Sequence, residues 1–464
     1  MADGFPRLGA VAPFAVTDAD RLALAAAIDR DELVELALTL GNIPSPCGQE
    51  QAAGDFVHDW MAREGFAPRK VGAVPERFNV IGTLGGRGGG DRAGRNLLFT
   101  AHLDTESPTG DADVDAYKFR PESIANREWR ECWLEDGALF GYPIANDRGP
   151  MSCFLIAAKA LKTAGYDLAG KLYLTACPGE IGPEPMEEAR GVAYLGKDLG
   201  AHYLFHHGGV APDYVIAAEG CDFGVTWVGC GYAVFRIRVL GQAVFTPLLT
   251  HPEDPSDHPN PIYRLGGVLA ALNAWGRDYE VANRYEGEGG VAVPKTQVAA
   301  IRGGTPFAFG AGTEVCNLYL EVGLTPRQRI ADVQHALERL LTDGRFGEVE
   351  IEPLVVRHGF EADAHEVAPL IGALDAATRL TRDHAIQRAA PVYSSMWRDH
   401  NVFNMQRIPA VTTGFKRWRP TPQDLVDSAL IYALTALAIC GRAEAPGGGP
   451  RAPAAYGDNR FGDL

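Results

Sequence analysis

The chain carries two different patterns of hydrophobic and polar positions. In the first pattern, continuous apolar runs at 97–99 and 171–176 alternate with helical segments such as the strongly apolar 151–164. Uninterrupted apolar strands are typical of a sheet that is covered on both faces, as in a parallel sheet between helices. Together with the apolar run at 213–218, this alternation predicts an α/β fold with a covered, mostly parallel sheet.

The second pattern begins near Thr226. Apolar and polar residues alternate along the predicted strand 232–239, which is typical of an antiparallel strand with one exposed face. Helices are predicted at 261–275 and 326–341, and alternation returns in the predicted strands 315–322 and 348–356. These elements predict a small α+β sandwich.

A chain of 464 residues is too long for one core. Because the α/β pattern returns near Val367, we predict one α/β domain formed by 19–225 and 365–442, interrupted by an inserted α+β domain at 226–364. The segment 443–464 is rich in Gly, Pro and Ala, and we expect it to be disordered.

Composition narrows the possible partners. The formal net charge of −16 argues against nucleic acid or an anionic membrane surface as a partner. The eight cysteines are scattered without a Cys-x-x-Cys pair, as expected of reduced thiols in the cytoplasm. We also expect no signal peptide and no membrane span, because no uncharged apolar run is long enough. The sequence therefore predicts a soluble, cytoplasmic protein.

Chemistry-bearing side chains follow the predicted strands. His102 and Asp104 end the first apolar strand, and Glu180 and Glu219 follow two others, while Asp147 precedes the apolar helix. In covered α/β sheets, ligands gather at the carboxyl ends of strands. One imidazole and several carboxylates make a nitrogen- and oxygen-rich site suited to Zn, Mn or Co. Asp104 is placed to hold His102 in one tautomer. Each carboxylate taken alone also fits a helix cap or a loop charge.

Taken together, these motifs resemble those of the M20 family of metallopeptidases and amidohydrolases. Residues 40–50, the Thr-Ala-His-Leu-Asp-Thr segment at 100–105 and the Asn-Asp-Arg-Gly segment at 146–149 carry the resemblance. The resemblance implies a zinc-peptidase-like catalytic domain with an inserted lid and dimerisation domain, and hence a homodimer. It also implies one metal on His102, Asp147 and Glu219, a second on Asp147 and Glu180, and Asp104 behind His102.

Three positions depart from that family. The glutamate that serves the family as general base corresponds to Gly179, and the family's lid histidine corresponds to Phe245. The C-terminal loop 414–424 contains no histidine, although the family takes a metal ligand there. We therefore expect one divalent metal per chain rather than two, with Glu180 released to act as base. His400 is a candidate replacement for the lost ligand.

These departures argue against ordinary peptide hydrolysis. They favour a metal-dependent hydrolase of a non-peptide C–N bond, an amide or an aryl amine, in a small carboxylate-bearing substrate. Arg148, Arg398 and Arg417 are candidates for binding the substrate carboxylate, because arginine pairs with that group through two hydrogen bonds. Phe245 would suit a flat substrate. Two alternatives remain: an ordinary two-metal M20 peptidase or N-acyl amino acid deacylase, and a catalytically silent ligand-binding relative.

Overall fold

The computed structural model describes residues 12–86, 94–307 and 310–443. Much of the glycine-rich connection before the His102 strand, and all but the first residue of the tail predicted to be disordered, lie outside these residues. The helices are α1 Asp18–Ala27, α2 Arg30–Gly41, α3 Gln51–Arg63, α4 Ala112–Lys118, α5 Pro121–Ile124, α6 Gly149–Thr163, α7 Gly196–Leu199, α8 Ala201–His207, α9 Pro261–Ala282, α10 Ile330–Leu341, α11 Ala364–Arg382, α12 Pro391–Ser394, α13 His400–Met405 and α14 Pro422–Cys440.

The strands form one large sheet, one smaller sheet and three two-stranded ribbons. They are β1 Arg69–Val74, β2 Arg77–Gly85, β3 Leu97–His102, β4 Trp133–Glu135, β5 Ala138–Phe140, β6 Lys171–Cys177, β7 Tyr214–Ala218, β8 Gly224–Thr226, β9 Val228–Gly229, β10 Gly231–Leu240, β11 Tyr285–Gly287, β12 Gly290–Ala292, β13 Thr296–Gly303, β14 Val315–Leu324, β15 Val349–Arg357, β16 Phe360–Glu361, β17 Gln387–Arg388 and β18 Ala410–Thr413.

The large sheet has eight strands in the order β1-β2-β6-β3-β7-β18-β8-β17. Its central strands β6, β3, β7 and β18 are parallel neighbours, so their carboxyl ends lie at one edge. Successive residues of β3 face opposite sides: Leu97 and Phe99 pack into the core formed by the long helices, whereas Leu98 packs towards α8 and α13. This two-sided burial explains the uninterrupted apolar pattern and confirms the predicted α/β class with a covered, mostly parallel sheet.

The smaller sheet is antiparallel, with the order β13-β14-β10-β15. Alternate residues of β10, including Phe235 and Ile237, pack against α9 and α10 to form a separate core. All four strands lie between residues 231 and 357, which we call the antiparallel part; the residues that form the large sheet and its helices are the α/β part. The domain limits at 226 and 364 stay a prediction.

Two helices of the antiparallel part differ from their predicted bounds. α9 continues seven residues beyond Trp275, to Ala282, before Asn283 caps it. α10 begins at Ile330 rather than at Pro326, because Gln328 folds back to accept a hydrogen bond from the Thr325 N–H and makes a turn there.

One helix in the described part of the chain, α14, is long and apolar enough to cross a membrane by length and composition alone. In this fold it is a core helix: 78% of its most apolar window is buried, and it packs against α6 and α11.

Candidate metal centre

Three side chains from different elements meet at the carboxyl edge of the large sheet. His102 is the last residue of β3, Glu219 directly follows β7, and Asp147 precedes α6. Each offers one nitrogen or oxygen atom, and these atoms all lie within 4.8 Å of one another. His102 Nε2 is 3.1 Å from Asp147 Oδ2. All three residues are buried. We call them the metal cluster.

Asp147 reaches the cluster through an irregular turn. Residues Ile144–Arg148 are buried, and Asn146 and Asp147 have non-helical backbone angles within an otherwise helical segment. Arg148 anchors this turn, since its guanidinium donates to Ser45 Oγ at 2.6 Å and to the carbonyl oxygens of His102 and Leu103. Arg148 was predicted to bind a substrate carboxylate. In the structure it is fully buried and occupied by these acceptors, so it positions Asp147 instead.

Asp104 supports the cluster in two ways. Its backbone carbonyl lies 2.8 Å from His102 Nδ1, which leaves Nε2 to face Asp147. Its carboxylate instead accepts hydrogen bonds from the N–H groups of Glu180, Ile181 and Gly182. The tautomer of His102 is therefore set by a backbone oxygen, and the Asp104 side chain fixes the loop that carries Glu180.

The electrostatics of the cluster suit a cation. Burial alone would lower the pKa of His102, but the carboxylates of Asp147, Glu180 and Asp104 outweigh burial and raise that pKa. Burial also raises the pKa of Asp147 to about 6 against the nearby positive charges. Whereas Oε2 of Glu219 is paired with the Arg398 guanidinium, both oxygens of Asp147 are buried without accepting a hydrogen bond from any described residue. Buried oxygens of this kind are costly unless a cation binds them, so the donor set fits a divalent metal.

Glu180 lies beside the cluster rather than in it. Its Oε2 is 3.9 Å from His102 Nε2, and its Oε1 is 3.9 Å from Nζ of Lys197. The preceding residue, Gly179, has a φ of +71°, and a Cβ built there would lie 2.3 Å from the carbonyl oxygen of Gly196. The backbone therefore leaves no room for a side chain at position 179, where the M20 family carries a glutamate.

The buried segment Arg398–His400 also borders the site. The Arg398 guanidinium contacts Glu219, and burial lowers the pKa of Arg398 to about 10. Burial raises the pKa of Asp399 to about 7. His400 Nδ1 pairs with Thr412 Oγ1 at 2.8 Å, and its Nε2 lies close to Gly229. The structure thus directs His400 away from the three-residue set, although it was a candidate ligand.

Of the other predicted substrate contacts, Arg417 lies near the metal cluster and Phe245 does not. Half-buried Arg417 lies on the loop after β18, and its charge acts on Asp147 and Arg398. Phe245 lies in the antiparallel part, 57% exposed, beside Gly310 and Ala311. Within one chain, Phe245 is therefore not part of the metal cluster's surroundings.

A cavity of about 700 Å³ opens between the two parts, next to Glu180. Its wall includes Ile181 and Gly182 from the Glu180 loop, Lys197, and the rings of Tyr232 and Trp397. Sequence reasoning did not identify Lys197 or Asp399 as site residues. Neither stands in a motif, and only the folded backbone brings them to Glu180.

The loop after Glu180 crosses to the antiparallel part. Glu184 accepts hydrogen bonds from Arg357 and from the Tyr232 hydroxyl, and Glu187 accepts them from Arg236 and from the Tyr319 hydroxyl. These contacts join the floor of the cavity to β10, β14 and β15.

No protein-family model matches the chain. The chain is 23% identical over 326 residues to N-formyl-4-amino-5-aminomethyl-2-methylpyrimidine deformylase of Bacillus subtilis strain 168, a match that covers 67% of this chain and 68% of that protein.

Solved structures show the same fold. The M20 family metallo-carboxypeptidase Sso-CP2 of Sulfolobus solfataricus superposes with a TM-score of 0.58 at 13% identity, over 88% of this chain and 99% of that one. The di-peptidase Dug1p of Saccharomyces cerevisiae superposes with a TM-score of 0.63 at 12% identity, over 92% of this chain and 100% of that one.

The sequence relative and the structural neighbours are all named as hydrolases of carbon–nitrogen bonds, and the resemblance inferred from the motifs is confirmed. With an intact cluster of His102, Asp147 and Glu219 but with Gly179 in place of the usual glutamate, the chain shares the fold of the M20 family of metal-dependent peptidases and amidohydrolases and resembles a divergent member of it.

Proposed function

We propose that the chain hydrolyses a non-peptide C–N bond, an amide or an aryl amine, in a small carboxylate-bearing substrate. The observation that carries this proposal is the buried set of His102, Asp147 and Glu219, in which both Asp147 oxygens lack a hydrogen bond, with Glu180 Oε2 3.9 Å from His102 Nε2. A divalent cation held by His102, Asp147 and Glu219 would lower the pKa of a water ligand towards about 7.

Two carboxylates beside the cluster, Glu180 and Asp104, have separate roles in the proposed reaction. Glu180 is placed to take a proton from the attacking water and return it to the leaving nitrogen, a role that contributes typically about 10²–10⁴-fold. Asp104 holds the Glu180 loop through three N–H groups and so fixes where that carboxylate points.

We propose one metal per chain, with Mn, Zn and Co as candidates. Glu180 lies outside the three-residue set, and the loop 414–424 contains no histidine.

A small substrate fits the cavity of about 700 Å³ beside Glu180, which is the size of typical small-molecule sites. The deformylase relative is named for a formylated aminopyrimidine, a flat molecule whose reacting bond is not a peptide. Both observations support a non-peptide amide or an aryl amine over a peptide chain.

We also propose a cytoplasmic homodimer. The edge strand β13 leaves most of its side chains exposed, and α9 exposes Ile262 and Tyr263 beside it. Such an edge is a ready surface for pairing with a second copy. All eight cysteines are free, which supports a reducing compartment. Light scattering in solution tests the dimer.

The proposed activity is tested with protein stripped of metal by a chelator and reloaded with Mn²⁺, Zn²⁺ or Co²⁺. N-formyl and N-acyl amino acids, aromatic N-acyl acids and aminobenzoates serve as substrates. We expect one equivalent of bound metal by elemental analysis and turnover that the chelator abolishes. Glu180→Gln should keep its metal and lose at least about 100-fold in kcat.

Glu35→Gln, at an exposed position of α2, is the matched control and should leave turnover unchanged. Two bound equivalents would refute the single-metal site. A Glu180→Gln variant with the wild-type rate would refute Glu180 as the base. Absence of turnover with every metal would favour the silent, ligand-binding alternative.

A further inference from the structure

Four basic residues line the cavity, and three of them have close acidic partners. Lys118 Nζ is 2.7 Å from Glu106 Oε1, while Lys295 pairs with Glu280 and Arg302 pairs with Glu188. These three charges are therefore neutralised at the surface side of the cavity.

The fourth, Lys197, is different. It is only 5% exposed, and among the residues that the structure describes its Nζ makes no hydrogen bond. The nearest carboxylate oxygen, Glu180 Oε1, is 3.9 Å away, beyond hydrogen-bond distance. An ammonium group has three donors, and because Nζ is not among the fully buried atoms that lack a partner, these donors are accessible from the cavity. The structure therefore holds an unsatisfied cation at the cavity wall.

Aromatic rings shape the space around that cation. Nζ of Lys197 lies 5.6 Å from the centre of the Tyr232 ring and 5.2 Å from the centre of the Trp397 ring. Both rings line the same cavity, so the region combines one positive charge with flat apolar walls.

The position of Lys197 is fixed from both sides. The N–H of Gly196 donates to the carbonyl oxygen of Pro183, and the carboxylate of Asp198 pairs with Arg357, 2.6 Å from its Nη1. Arg357 also binds Glu184 in the loop after Glu180. A lysine held in this way is preorganised rather than free to follow solvent.

We propose that Lys197 is the cation that binds the carboxylate of the substrate, with the body of the substrate in the cavity against the edge-to-face pair of Tyr232 and Trp397. This inference rests on the proposed function and assigns its substrate class: flat acids whose carboxylate lies close to the hydrolysed C–N bond. That closeness follows from the 3.9 Å between Lys197 Nζ and Glu180 Oε1, since one group binds the carboxylate and the other serves the reacting bond.

The test measures binding without turnover. Benzoate and benzamide, which share a ring and differ in charge, are titrated calorimetrically into metal-free protein, so that a carboxylate cannot bind through the metal. We expect benzoate to bind at least about tenfold more tightly than benzamide. Lys197→Met should lose that preference, and Lys197→Arg should keep most of it.

Lys295→Met is the matched control, because Lys295 lines the same cavity but is already paired with Glu280. It should bind benzoate like the wild type. Circular dichroism and thermal unfolding check that each variant is folded. The inference is overturned if Lys197→Met binds benzoate as tightly as the wild type. It is also overturned if the wild type shows no benzoate binding at about 10 mM, the weakest affinity of interest. Failure of the hydrolase proposal, seen as missing turnover, leaves this binding result intact and is thus distinguishable.

Discussion

Replacing Gly179 by alanine tests whether the backbone itself excludes a side chain at this position. Two costs apply in the folded state. A residue other than glycine in the left-handed region costs about 1–2 kcal/mol, and Gly179 has a φ of +71°. The added Cβ would also lie 2.3 Å from the oxygen and 2.6 Å from the carbon of the Gly196 carbonyl. Overpacking of this kind costs another ~1–3 kcal/mol.

The expected destabilisation for Gly179→Ala is therefore about 2–5 kcal/mol. Gly165 provides a matched control, because its φ is +77° and a Cβ there would meet nothing within 4 Å. Gly165→Ala should cost only the backbone term, about 1–2 kcal/mol. Urea unfolding, followed by tryptophan fluorescence and far-UV circular dichroism, measures both free energies of unfolding.

The difference between the two variants isolates the contact with Gly196. If Gly179→Ala is no less stable than Gly165→Ala, the backbone at 179 is not blocked, and the absence of a glutamate there has no steric cause. If the difference is found, Gly179→Glu should be still less stable and should not supply a second base.

Three further predictions concern buried charges. In metal-free protein, Arg398→Met should lower the free energy of unfolding by about 3–5 kcal/mol, since Glu219 is left buried and unpaired; saturating Mn²⁺ should recover most of this loss in urea unfolding. Arg77→Met should cost about 3–5 kcal/mol for the same reason at Glu50, whose Oε1 lies 2.7 Å from the guanidinium, and adding Glu50→Gln should restore at least half. Burial lowers the pKa of His400 to about 3, whereas the pKa of an unfolded histidine is about 6.5. The stabilisation from neutral His400 is therefore complete above pH ~6.5, and the free energy of unfolding falls by up to ~1.4 kcal/mol per pH unit as the pH drops towards 3. His400→Gln should flatten this fall, as measured by urea unfolding between about pH 7 and pH 4.

Each of these three predictions would be contradicted by a specific result. An equal loss in Arg398→Met with and without Mn²⁺ would show that Glu219 does not bind the metal. A double variant as unstable as Arg77→Met alone would show that the unpaired Glu50 is not the cause. Unchanged pH dependence in His400→Gln would remove that residue from the acid response.

Much of the fold follows from local patterns. The apolar run of β3 predicts a covered strand, and the end of that strand places His102 at the carboxyl edge of the sheet. The alternation along β10 likewise predicts the antiparallel sheet. The positions of the acidic residues at the ends of predicted strands suggested a shared site, and the family resemblance then assigned them to metal binding.

The rest depends on contacts that no local pattern encodes. Lys197 lies on a helix of four residues, too short for any periodicity, and reaches Glu180 because Gly196 packs against the 179–183 backbone. Arg148 and Arg398 look alike in the sequence as surface cations. One is held by backbone carbonyls and the other by Glu219, a difference that only the folded chain creates.

The bonds that Glu184 and Glu187 make to β10, β14 and β15 have a mechanical consequence. The loop that carries Glu180 is tethered to both parts of the molecule, by Asp104 at one end and by arginine and tyrosine side chains at the other. A swing of the antiparallel part must therefore either break these tethers or pull Glu180 out of register with His102. The position of the Glu180 carboxylate therefore depends on how the two parts are held together.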